Sequence, residues 1–198
     1  LAYKPYFEVE RRKYRFRILN ASVWRFFKIA LSAGSEMVQI ANDGNLLPQP
    51  VRLRELDQIG IAERYDIVID FSRYFVGQKV WMVNLTEHDD GKGPKEDLSL
   101  RDALRGKSDD PCVGPFLEFR VVRNPAKPDL SQIPSVMIPN PDRVPVVRER
   151  VFEFGRSGGS DSTPWTIKTD GGSGLPMDPN RLSSAPQRDT AEIWHLKN

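Results

Sequence analysis

Polar and apolar residues alternate along most of this chain. In "KYRFRIL" the side chains of Tyr14, Phe16 and Ile18 fall on one side and those of Arg15 and Arg17 on the other. "WRFFKIALS" repeats the pattern with Phe27, Ile29 and Leu31, and "ERYDIVIDFS" sets Tyr65, Ile67, Ile69 and Phe71 against Asp66 and Asp70. "EMVQIAND", "KVWMVNL" and "PFLEFRVVR" complete the set, the last with Leu117, Phe119 and Val121 together. Period two marks a half-buried strand. About six or seven such runs, parted by polar turns such as "NDGN", predict antiparallel sheets in an all-β sandwich or barrel. Helical spacing is confined to "SLRDALRG", Ser99–Gly106, where a serine can cap the start and a glycine the end.

Two segments interrupt the alternation. Thr86–Gly114 is polar and rich in Asp, Lys and Gly, and a loop of that length is usually functional, disordered or packed on a neighbour. Asn124–Pro145 carries Pro125, Pro128, Pro134, Pro139, Pro141 and Pro145. Repeated proline fixes φ and removes donors, so this segment reads as an extended interdomain strap. Strands then resume in "VVRERVFEFG", "STPWTIKTDG" and "DTAEIWHLKN". Three strands bury little by themselves, so they read as the opening of a second sheet domain whose remainder is missing. The expected organisation is a β domain over 1–123, the strap over 124–145 and an incomplete domain over 146–198.

With 198 residues, ten Phe, five Tyr and four Trp, the chain can fill a core. The formal net charge is only +2, and Arg and Lys alternate with apolar residues instead of clustering. They form the solvated face of strands, not a phosphate-binding stripe, so nucleic acid is not an expected partner. No apolar run approaches the length of a membrane span, and "LAYKPYFEVE" has neither the basic head nor the apolar centre of an export signal.

Candidate chemistry is sparse. The two histidines, His88 and His195, stand apart, with no His-x-His, Cys-x-x-Cys or His-x-x-x-His spacing. His88 lies in "NLTEHDDGKG" beside Glu87, Asp89 and Asp90, which reads as an exposed acidic loop more readily than as a cation site. His195 sits between Trp194 and Leu196 and reads as a packed or interface residue. Cys112, in "DDPCVGP", is alone and reads as a partly buried loop thiol with no base beside it. Asp66 and Asp70 are roughly 13 Å apart along a strand at ~3.3 Å per residue, beyond the ~5–9.5 Å that a glycosidase carboxylate pair needs. Asp170 and Asp178 flank "GGSGLPM" and read as turn residues. "SGGSDS", Ser157–Ser162, offers backbone N–H groups to an anion but precedes a strand, not a helix. No Gly-x-Ser-x-Gly elbow occurs, which disfavours a serine hydrolase.

The order of motifs nonetheless resembles a known family. "PYFEVERRKYRFRILNASVWRFFKIALS", followed by "QIANDGNLLPQPVRLRELDQIGIAERYDIVIDFS", is similar to the middle cupredoxin domain of three-domain multicopper oxidases, the group of bacterial and spore-coat laccases, bilirubin oxidase and phenoxazinone synthase. "GLPMDPNRLSSAPQRDTAEIWHLKN" resembles the start of their third domain. The likeness spans Pro5 to Asn198, with Glu87–Gly114 and the strap as its divergent parts.

The resemblance implies a cupredoxin-like Greek-key sandwich followed by the first strands of a second cupredoxin-like domain. It implies a parent enzyme that oxidises phenols, pigments or metal ions and reduces dioxygen to water, with copper as its cofactor. In the family, ligands come from the first domain and from His-rich segments of the third that lie beyond the matched strand. His195 matches the strand upstream of them and Cys112 lies in the middle domain, so the resemblance assigns no catalytic, cofactor-binding or metal-ligating residue here. The expected role is a copper-free structural link. Its partners are the first and third cupredoxin domains, and its location is periplasmic or secreted. The alternatives are a stand-alone β-sandwich module binding protein or carbohydrate, and, more remotely, a small hydrolase using Asp170, Asp178 or Ser160.

Overall fold

The computed structural model describes residues 5–89, 93–139, 142, 144–156 and 164–198. The period-two runs are strands: β1 (Tyr6–Glu10), β2 (Lys13–Leu19), β3 (Ile29–Leu31), β4 (Met37–Asn42), β5 (Asn45–Leu53), β6 (Arg64–Asp70) and β7 (Lys79–Asn84). A hairpin of β8 (Thr86–Asp89) and β9 (Gly93–Asp97), the helix α1 (Leu100–Leu104) and β10 (Gly114–Arg123) follow. The chain ends with β11 (Val146–Arg156), β12 (Trp165–Thr169), β13 (Leu175–Pro176) and β14 (Ala191–Lys197). Residues 1–140 form one unit and 141–198 another.

The first unit is a sandwich of two four-stranded sheets, ordered β1-β10-β7-β3 and β2-β6-β4-β5. Neighbours far apart in sequence mean that the chain crosses repeatedly between the sheets. Each contributes its alternate residues to one core: Val9, Ile29, Leu31, Val80, Met82, Phe119 and Val121 from the first, Met37, Tyr65, Ile67 and Ile69 from the second. Tyr14, Phe16 and Ile18 close the β2 side, as their spacing predicts. Phe71, in a 3-10 turn after β6, sits at the centre with its ring within 5.1–6.3 Å of Tyr14, Phe16, Tyr74 and Phe119.

The expectation of purely antiparallel pairing needs correction. β1 pairs parallel with β10, and β11 parallel with β14. Local alternation carries no information on strand direction, which is set by contacts more than a hundred residues apart in the first case.

The two interrupting segments cover the outer faces of the sandwich. Within Thr86–Gly114, α1 forms where the sequence predicts it: the Ser99 hydroxyl accepts from the Asp102 N–H at 3.2 Å, and Gly106 ends the turn at φ +67°. Ala103 and Leu100 then pack on Ala30, Val83 and Leu85. Asp97 ties the base of the hairpin by accepting from Thr86 Oγ1 at 2.6 Å, Lys28 Nζ at 3.0 Å and Gln58 Nε2 at 3.1 Å.

The proline-rich segment covers the other sheet, where Ile133 and Met137 pack over Val38, Ile40 and Val68. Asp129 pins it: one carboxylate oxygen accepts from the Lys13 N–H at 2.8 Å, the other from the Ser131 hydroxyl and N–H at 2.6 and 3.0 Å. The Ser131 hydroxyl and the two N–H groups hold the Asp129 carboxyl far below the usual carboxylate range. Its contribution to stability is therefore present above the ordinary carboxylate pKa and lost as the pH falls toward the depressed one. Asp129→Ala is expected to speed amide deuterium exchange at Lys13 and along Ser131–Met137 while the central strands stay protected. Unchanged exchange would mean that the apolar contacts, with the Lys13 Nζ–Ser131 carbonyl and Met137 N–H–Pro48 carbonyl hydrogen bonds, hold the segment without Asp129.

The second unit is a single sheet ordered β13-β12-β11-β14. Its register puts Phe152, Phe154, Trp165, Ile167, Trp194 and Leu196 on one face. Among the described residues of this unit no second sheet covers that face: Trp165 is 66% exposed and Leu196 67%.

Candidate functional site

The most elaborate polar arrangement lies where the loop after β2 meets the β8–β9 hairpin. His88 was expected on an exposed acidic loop, and here the structure corrects the sequence: it is 8% exposed. Trp24 stands edge-on to the imidazole at 5.1 Å and Phe26 stacks on it at 5.9 Å, so two rings remote in sequence exclude water from it. The Phe26 N–H donates to His88 Nε2 at 2.9 Å. Burial and the nearby Arg25 cation push the imidazole pKa down, against a smaller pull from Asp110 and Asp89. The ring is therefore neutral near pH 7, with its proton on Nδ1.

Asp110 is the hub beneath it. Its carboxylate accepts from Arg25 Nη1 at 2.7 Å, the His88 N–H at 3.0 Å and the Cys112 N–H at 2.9 Å. Burial works against the charge, but Arg25 and the two N–H groups outweigh it and hold the pKa below the ordinary value. A polar pocket of about 480 Å³ opens beside this pair, edged by Glu87, Lys95, Lys107 and Asp109.

The other acidic neighbours of His88 do not converge with it. Glu87 is engaged by the Ser108 hydroxyl and Lys95, Asp89 is exposed, and Asp90 lies outside the described residues. No group of three or more His, Cys, Asp or Glu side chains among the described residues is arranged to hold a metal ion.

The remaining sequence candidates occupy structural positions. Cys112, expected to be partly buried, is instead exposed in its loop: its backbone is what the fold engages, with the carbonyl accepting from Asn84 Nδ2. His195 is half exposed and meets Glu149 across the β11–β14 pair at 3.0 Å, so it is not packed into a core. Asp66 pairs with Arg15 and Arg17 on the outer face, and Asp70 caps the turn at Ser72. Asp170 serves Arg148, Arg150 and the Val151 N–H, whereas Asp178 accepts from Asn180 N–H in a local turn. Ser157–Ser162, including Ser160, lies outside the described residues.

Three polar side chains that the sequence reading missed do more than any it singled out. Asn20, in the "LNAS" motif, is buried. Its amide donates to the carbonyls of Arg25 and Ile59 at 2.7 and 2.9 Å, and its oxygen accepts from Ser22. Asn followed two residues later by Ser is a recognisable local-turn signal. Asp110 carries no such signal, because its partners sit at positions 25 and 88. Arg150 forms a two-pronged pair with Glu192 at 2.7 and 3.1 Å on the apolar face of the second unit, and Trp194 Nε1 adds a third bond to that carboxylate.

A blue copper asks for two imidazoles and a thiolate at one point. Here His88 spends Nε2 on a backbone N–H and encloses Nδ1, Cys112 faces solvent, and only one further imidazole, that of His195, exists in the sequence. This donor set does not fit such a centre.

No family model matches the chain. Individual proteins do. It is 35% identical to the laccase of Bacillus subtilis (strain 168), over 98% of this chain and 34% of that protein. It is 32% identical to the bilirubin oxidase of Albifimbria verrucaria, over 98% of this chain and 32% of that protein. Among solved structures it is similar to the McoA multicopper oxidase of the hyperthermophile Aquifex aeolicus, with a TM-score of 0.60, 26% identity, and coverage of 82% of this chain and 31% of that one. The chain thus spans about a third of the length of these relatives. The stand-alone binding module draws no support from them.

Proposed function

Because this chain belongs to the multicopper oxidase family, with a cupredoxin-like β fold, we propose that it is a copper-free structural segment of such an oxidase. In this reading the first unit is the middle cupredoxin domain, and residues from about 146 onward begin the third. The proline-rich segment connects the two while covering the outer face of the β2-β6-β4-β5 sheet. The partners are the first and third cupredoxin domains of the same parent protein. The parent takes single electrons from a phenol, a pigment or a reduced metal ion and reduces dioxygen to water, in the periplasm or outside the cell.

The observation that carries this reading is the donor chemistry. A chain aligned over nearly its whole length with a laccase offers two imidazoles and one thiol, and the enclosed imidazole is already bonded. The open apolar face of the second unit supports it. Phe154, Trp165, Ile167 and Leu196 form the kind of surface that a sandwich buries under a second sheet. The Arg150–Glu192 pair satisfies its own charges within that face, so covering it buries no unpaired ion.

The test is an oxidation assay. The chain incubated with copper salt in air is expected to oxidise a phenolic substrate no faster than the same copper without protein. Sustained turnover that needs the chain would overturn the proposal.

A further inference from the structure

The imidazole of His88 is placed to switch a backbone contact with its protonation state. Two ties hold the Trp24–Phe26 stretch, one to the segment before β10 and one to the β8–β9 hairpin. One is the Arg25–Asp110 ion pair at 2.7 Å, the other the Phe26 N–H donating to His88 Nε2 at 2.9 Å. The second exists only while Nε2 has a free lone pair. Adding a proton there replaces an acceptor with a donor, and two N–H groups then face each other at hydrogen-bond distance.

The neutral ring has no spare capacity to absorb that change. Nδ1 is enclosed and has no partner among the described residues, Phe26 stacks on the ring and Trp24 meets it edge-on. The charged neighbours come from every element packed around it. Arg25 projects from the loop after β2, Asp109 and Asp110 from the segment before β10, Lys107 from the turn after α1, and Glu87, Asp89 and Lys95 from the hairpin itself. Asp110, the nearest counter-charge, already receives Arg25 and two backbone N–H groups, so its capacity to shelter a second cation is largely spent.

We propose that His88 is a proton-released latch: neutral, it holds the Phe26 end of the Trp24–Phe26 loop on the β8–β9 hairpin, and protonated, it frees that end while the Arg25–Asp110 pair and the sandwich core stay closed. The release is local because the rings that meet the imidazole, Trp24 and Phe26, are not those that surround Phe71 in the core, which are Tyr14, Phe16, Tyr74 and Phe119. Release loosens Phe26 from the imidazole and shifts Trp24, which is already 38% exposed, next to the polar pocket, and gives this end of the unit two surfaces selected by pH.

The sign follows from linkage. A buried neutral imidazole binds its proton less readily folded than unfolded, so the closed form gains stability as the pH rises through the window below about 6.5. It loses that stability on acidification, until the folded group protonates as well.

Nuclear magnetic resonance of the ¹³C- and ¹⁵N-labelled chain tests the latch. His195→Gln leaves His88 as the one imidazole. The expected result is a His88 titration midpoint below that of a free histidine. At the same midpoint the Trp24 indole signal moves, and the Phe26 amide protection factor falls at least ~10-fold, while Trp81 and the Phe119 amide do not change. His88→Gln, which presents a non-titrating acceptor, should remove the transition over that range. A Phe26 amide that stays protected through the His88 titration would overturn the proposal. So would an unchanged acid transition in a folded His88→Gln chain.

Discussion

Phe71→Ala is expected to remove about 3–5 kcal/mol of the first unit's stability, enough to leave a domain of ordinary stability barely folded. The ring is fully buried and touches four other aromatic rings, drawn from both sheets and from the turn itself. Deleting it removes the transfer free energy of a whole aromatic side chain. It also leaves a cavity between sheets that cannot close, because each is fixed by its ladder. Guanidinium unfolding should show the midpoint falling with the slope unchanged. Phe75→Ala is the control: that ring is 69% exposed, and its loss should stay within about 0.5 kcal/mol. Equal effects of the two substitutions would show that the sandwich does not close around Phe71.

Asp110→Ala carries the second large effect, about 3 kcal/mol, because removing one partner of an enclosed ion pair strands the other. Arg25 keeps only 14% of its side-chain exposure, and two N–H groups, of His88 and Cys112, lose their acceptor together. The loss is expected at neutral pH and should shrink on acidification. The folded carboxyl has its pKa below the ordinary value of about 3.9. The stability it contributes is thus fully present above that value and disappears as the pH falls through the folded one. Urea midpoints of the parent and variant chains, measured from neutral pH downward, should converge at the acid end. A gap that stays constant would mean that Asp110 acts by shape and not by charge.

The contrast between these two residues shows what the sequence reveals. Phe71 is legible because it continues the alternation of Tyr65, Ile67 and Ile69, and a residue that shares a face with three apolar neighbours is bound for the core. The same logic finds β2, β6, β7 and β10, and the Ser99 and Gly106 signals find α1. It fails where the information is not local. β5 contains Pro48 and Pro50, which argue against a strand in the middle of a sheet, but β5 lies at the edge of its sheet, where missing donors cost nothing. The parallel pairing of β1 with β10 depends on residues such as Phe7 and Phe119 meeting across the whole domain.

The His88 site was illegible for the same reason. In sequence its neighbours are acids and glycines, which describe a wet loop. In the fold they are Trp24, Phe26, Arg25 and Asp110, and no spacing rule connects positions 25, 88 and 110. The family, by contrast, was legible from an ordered series of short motifs, and relatives at 35 and 32% identity show it. Asn20 explains why one of those motifs has the form it does: "LNAS" is a buried knot of hydrogen bonds joining β2 to Arg25 and Ile59.

The proposed copper-free role requires that these side chains assemble no copper centre of their own. Its most direct measurement is the copper retained per chain after loading with copper and washing with a weak chelator, read together with the visible spectrum. No retained stoichiometric copper and no blue thiolate-to-copper band are expected. One tightly held copper per chain, with a blue band that vanishes in Cys112→Ser, would contradict it.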